Sequence, residues 1–75
     1  MKEGVKTLLH AKSGEMVRVQ DILGGRKMRN RLMELGVMEG TPVKVYSNEG
    51  GPLIILVGNS RFALGQGVAQ KVTVK

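Results

Sequence analysis

Turn signals are spaced so closely in this sequence that only one uninterrupted segment suits a helix of any length. Glycines pair at Gly24-Gly25 and Gly50-Gly51, and others stand at Gly36, Gly40 and Gly58, with prolines at Pro42 and Pro52. Between 26 and 35 the chain reads RKMRNRLMEL, without glycine, proline or a β-branched residue. This composition predicts a helix over 26–35. At 100° per residue Met28, Leu32 and Leu35 share one narrow stripe, which is expected to face a core. Gly36 fits the left-handed position that ends a helix, and Gly40 fits a second tight turn.

The remaining pieces carry strand periodicity. Met16, Arg18 and Gln20 alternate with Val17 and Val19, and the loop from Asp21 to Gly25 is expected to end this first strand. Thr41 to Tyr46 forms a second strand, with Val43 and Val45 inward and Pro42 at its start. Leu53–Val57 and Ser60–Leu64 follow as a third and a fourth, joined by a tight turn at Gly58-Asn59. A bend over Gly65–Ala69 leads to a fifth, Lys71–Val74. Thr7–His10 reads as a short helical turn. The fold class expected is mainly β with one helix: a small five-stranded antiparallel barrel in a single domain, 1–75, with the helix inserted between strands 1 and 2. Closure into a barrel is how so short a chain disposes of its sheet edges. Leu32, Leu35, Val43, Val45, Ile55 and Leu64 are the expected core. Ile54 and Leu56 point to the other face of the third strand, and coverage by the N-terminal segment around Leu8 and Leu9 is expected.

At 75 residues the chain is near the lower limit for independent folding, and it has no cysteine to staple it. The longest apolar run, Leu53–Val57, falls far short of the roughly 18 residues that a spanning helix requires. The N-terminus also lacks the apolar stretch of a signal peptide, so a cytoplasmic protein is expected. A net charge of +6 favours an anionic partner. Tyr46 and Phe62 are the only aromatic residues, too few for a base-stacking platform.

Little in the sequence supports catalysis. His10 is the single histidine; Ser13, Ser47 and Ser60 have no patterned base, and Glu3, Glu15, Asp21, Glu34, Glu39 and Glu49 are scattered. The glycine pairs lack the Gly-Lys-Ser/Thr ending of a phosphate loop, and no ligand spacing suggests a metal site. No enzyme, no catalytic residue and no metal ligand is expected.

The helix surface is more informative. Opposite the apolar stripe lie Arg26, Arg29 and Asn30 with Met33 among them, while Lys27, Arg31 and Glu34 hold one flank. Such a face is either solvated charge with a methionine along arginine stems, or a cationic patch with a soft apolar centre. Met33 and Met38, which helix phase and a tight loop keep out of the core, bring the second reading level with the first. Arg26, Arg29, Arg31, Met33 and Met38 are therefore the expected partner-binding residues.

The order of Leu32, Leu35, Gly36 and Gly40, then Gly51-Pro52-Leu53, then Ala63-Leu64, Ala69, Val72 and Val74, resembles the FeoA family over Leu8–Val74. The resemblance implies an SH3-like barrel and a cytoplasmic adaptor of bacterial ferrous-iron uptake. Such an adaptor would act by contact with the FeoB membrane transporter and its cytoplasmic GTP-binding domain, reaching the membrane only through that partner. It implies no resident cofactor, with weak association of Fe2+ or another divalent metal, and a kinship with the C-terminal barrel of iron-dependent repressors. Charge alone offers a nucleic-acid-binding SH3-like barrel as the alternative. The chain departs from the family pattern at Glu39, where proline is usual, and at Gly65-Gln66-Gly67, where a charged helix-like bend is usual. A looser turn and a more mobile bend are expected there.

Overall fold

The structure is a computed structural model and describes residues 6–75; Glu3 and the first part of the N-terminal segment lie outside the described residues. A short 3-10 turn (Leu8–His10) leads into β1 (Met16–Ile22), α1 (Arg26–Glu34), β2 (Pro42–Ser47), β3 (Leu53–Val57), β4 (Ser60–Leu64), α2 (Gln66–Ala69) and β5 (Val72–Val74). The strands form one antiparallel sheet in the order β4-β3-β2-β1-β5. Inward residues from all five strands meet in one buried cluster, so the sheet must curl around it.

The curl is made at β1, which changes partner along its length. Met16–Arg18 pair with β2, whereas Val19, Asp21 and Ile22 pair with β5. Gln20 is the extra residue of a bulge between the two registers. The strand therefore runs through Asp21 to Ile22 rather than breaking after Gln20, and the inward alternation slips from Val17 and Val19 to Ile22. One further element differs from the expectation. The segment after β4 is a full helical turn, α2, held by Ala69 and Gln70 N–H bonds to the Gly65 and Gln66 carbonyls. Gln66 Nε2 also donates to the Gly50 and Gly51 carbonyls, which pins this turn to the β2–β3 loop. Its glycines thus do not prevent the helix.

Of the expected core, Leu32, Val43, Val45, Ile55 and Leu64 are buried. Leu35 is not: it caps α1, and it packs half-buried against the cluster, as does Met28. The fully buried residue in its place is Val37, just beyond the helix. The end of α1 explains this. Gly36 has φ +88, its N–H donates to the Met33 carbonyl, and the Val37 N–H donates to the Leu32 carbonyl at 2.9 Å. Such a double-bonded left-handed turn brings the side chain after the glycine back onto the third residue from the helix end, here Val37 onto Leu32.

Ile54 and Leu56 are half-buried. Leu8 is fully buried in the core cluster, on the inner side of the sheet. On the outer face a cation–π pair crosses the strand. Arg61 lies opposite Leu56, and its guanidinium carbon sits 4.4 Å from the centre of the Tyr46 ring on β2, so the pair bridges β3. The exposed edge of β5 has an N-terminal neighbour, because Val74 N–H donates to the Lys6 carbonyl and Thr7 bridges Thr73.

Candidate partner-binding surface

Helix α1 starts against the helix dipole. No acidic residue lies in its first turn, no side chain caps it, and it opens on Arg26 and Lys27. Cations at a helix N-terminus are unfavourable by up to about 1 kcal/mol each at the surface. Stability of α1 therefore comes from its apolar stripe and its C-terminal turn rather than from its N-terminal charges.

Arg29 is tied down. Its guanidinium donates to the Ile22 carbonyl and to Asp21 Oδ1 at 3.3 Å, joining the helix to the end of β1. The loop after α1 is joined to the same strand. Gly40, with φ +89, donates its N–H to the Val19 carbonyl at 2.8 Å, Val19 N–H donates to the Thr41 carbonyl, and Arg18 Nη1 donates to the Gly40 carbonyl. Within that loop the Thr41 hydroxyl donates to the Gly36 carbonyl and accepts from the Met38 N–H. Glu39, where the resemblance led us to expect a loosened turn, thus sits in a loop closed from both sides.

These constraints present Met33 and Met38 together. They are 51% and 45% exposed and line a shallow dent of about 80 Å³ with Arg29, Asp21 and Glu39, over a floor of Ile22 and Val37. Of the five expected residues, Arg29, Met33 and Met38 converge here. Arg26 is exposed on the helix, outside the dent, and Arg31 lies elsewhere, in a separate groove between α1 and β4. Leu23, the residue after the Ile22 carbonyl that Arg29 binds, is a further exposed apolar side chain at 58% and escaped the sequence reading. The signal was a leucine outside the period-two pattern and directly before a glycine pair.

The other polar side chains serve local structure. His10 Nδ1 lies 3.1 Å from the Thr7 hydroxyl and accepts from the Thr7 N–H, closing the 3-10 turn. Ser13 Oγ donates to Glu49 and accepts from the Asn48 N–H, joining two turns. Glu15 receives Lys6 Nζ and the Lys12 N–H, and these donors, Lys6 first, hold its carboxyl below the usual glutamate range. Among the described residues no three His, Asp or Glu side chains gather as a metal site, and no helix is long and apolar enough to cross a membrane.

A five-stranded SH3-like domain with an exposed methionine patch is the class of protein that this fold defines. The FeoA domain family model matches residues 6–75, and the chain belongs to that family. A protein of Methanocaldococcus jannaschii, provisionally named as Fe(2+) transport protein A, is 40% identical over 68 residues, covering 91% of this chain and 83% of its own. The crystal structure of an iron uptake regulatory protein, FeoA, is 37% identical and superposes with a TM-score of 0.86 over 97% of each chain. The zinc complex of Stenotrophomonas maltophilia FeoA, described as a prokaryotic SH3 domain protein, is 30% identical, with a TM-score of 0.80 over 92% of this chain and 88% of that one. The cadmium-bound ScaR structure matches with a TM-score of 0.86 at 17% identity, which shows a shared fold alone.

Proposed function

We propose that this chain is a non-catalytic cytoplasmic adaptor of ferrous-iron uptake, acting by protein contact on the cytoplasmic GTP-binding domain of a FeoB-type transporter. Family membership supports the setting, since relatives carry names that refer to iron transport and uptake. The observation that carries the contact reading is the pair Met33 and Met38, about half exposed on a backbone held by β1. Methionines repack readily against different surfaces, and Arg29, Arg26 and the overall +6 charge attract an acidic face. Iron, on this reading, is the cargo of the partner and needs no ligand set here.

The test is a pull-down of the transporter's soluble GTP-binding domain, with and without nucleotide. Met33→Gln with Met38→Gln should leave the melting temperature almost unchanged, because exposed substitutions usually stay within about 0.5 kcal/mol. Capture should weaken. Equal capture by the double variant, or its unfolding, would show the methionines to be structural. Steeply salt-dependent binding to generic duplex, without capture of the domain, would favour the nucleic-acid alternative.

A further inference from the structure

The flank of α1 opposite the methionine patch forms, with β4, an open groove of about 1350 Å³. Its apolar lining is Met28, Leu35, Phe62 and Val68, each half-buried against the core with one side left open. One wall is β4, an edge strand with no strand on its outer side among the described residues, in contrast to β5, which Lys6 and Thr7 cover.

The register of the β3–β4 hairpin shows which backbone groups are free. Val57 and Ser60 flank a two-residue turn with Gly58 at φ +61, so they form a hydrogen-bonded pair, as do Ile55–Phe62 and Leu53–Leu64. Arg61 and Ala63 alternate with these, and both aim their N–H and C=O groups outward. The Arg61 guanidinium is occupied over Tyr46, which leaves its backbone clear. Along the groove stand Lys27 and Arg31 with Glu34 as the one acid, and neither cation has an ion pair among the described residues.

We propose that this groove takes an extended acidic segment of a protein partner, added to β4 as a sixth strand. Its backbone would pair with Arg61 and Ala63, and the alternate side chains on its groove-facing side would be apolar where they enter between Phe62 and α1 and acidic where they reach Lys27 and Arg31. A second copy of this chain fits poorly, since pairing β4 with β4 would bring like charges together in a molecule of charge +6. The site is separate from Met33 and Met38 and does not depend on the identity of the partner proposed for them.

The probe is a short labelled peptide whose groove-facing alternate positions are valine at the centre and glutamate at the ends, with threonine on the other face, followed by fluorescence anisotropy and by amide exchange. The expected result is saturable binding with slowed exchange at the Arg61 and Ala63 amides. Lys27→Glu with Arg31→Glu should weaken it by about tenfold or more. Ala63→Pro, which removes an outward N–H but no β3 bond, should abolish it. Exchange on the parent chain keeps the test open if the proline variant does not fold. The Met33→Gln, Met38→Gln chain should bind the peptide as the parent does. Absence of saturation, protection confined to the methionine patch, or β4 protection that grows with protein concentration without peptide would each overturn the proposal.

Discussion

Gly36 is the position where one methyl group should decide most. Its φ of +88 lies where L side chains are strained, whereas a Cβ there would meet only Val57 Cγ1, at an ordinary 3.5 Å. Gly36→Ala therefore isolates backbone strain from crowding. The strain is about 1–2 kcal/mol, and the stiffer unfolded chain returns about 0.4–1 kcal/mol. A net loss near 1 kcal/mol should lower the melting temperature by about 4–8 °C in a domain of this size. Gly67 supplies the control: it lies inside α2, has no positive φ, and a Cβ there meets nothing within 4 Å. Gly67→Ala should therefore stabilise by about 0.4–1 kcal/mol. Gly36→Asn should lose less than alanine because asparagine tolerates the left-handed region, and Gly36→Val should lose most. Circular dichroism melts of the four variants test the set. If both alanine variants shift the melt the same way, or asparagine is no better than alanine, the left-handed turn is not what glycine provides.

Leu32→Ala should cost about 2–5 kcal/mol, and Leu35→Ala clearly less, because Leu32 is 2% exposed and Leu35 is only half-buried; urea unfolding of the two variants ranks them. Thr41→Val removes bonds to the Gly36 carbonyl and the Met38 N–H, with an expected loss of about 1 kcal/mol and faster Met38 amide exchange. The depressed Glu15 carboxyl contributes stability that is present above the ordinary glutamate range and lost as pH falls through its folded value. A carboxyl NMR titration should place its midpoint below that of exposed glutamates, and Glu15→Gln should flatten the acid limb of the stability profile.

The legible parts of this fold were those in which a single period ran undisturbed. Val43 and Val45 on β2 and Leu53 and Ile55 on β3 alternate inward as their spacing implies, and α1 ends at a glycine whose role follows from its place. The first strand was cut short because the bulge at Gln20 puts two residues where one should be, so Asp21 and Ile22 read as loop. Val37 was missed for a related reason. It belongs to no helix or strand period, and only the pairing of a helix-ending glycine with the apolar residue after it signals burial. In the candidate site, helix phase placed Met33 correctly outward but grouped Arg31 with it. The structure divides them, since Met33 faces the end of β1 and Arg31 faces the open groove beside β4.

The ties between α1 and β1 have a thermodynamic consequence for whatever meets the methionines. Arg29 holds the helix to Asp21 and Ile22, and the loop returns through Gly40 and Thr41 to Val19, so the backbone beneath Met33 and Met38 is closed into a ring by β1. A partner docking here would find the main chain already ordered. The ordering cost would fall on side chains, the two methionines and Arg26 foremost, at about 0.5–1.5 kcal/mol each. The surface thus combines a rigid mount with soft tips, and it can accept partners of differing contour without refolding.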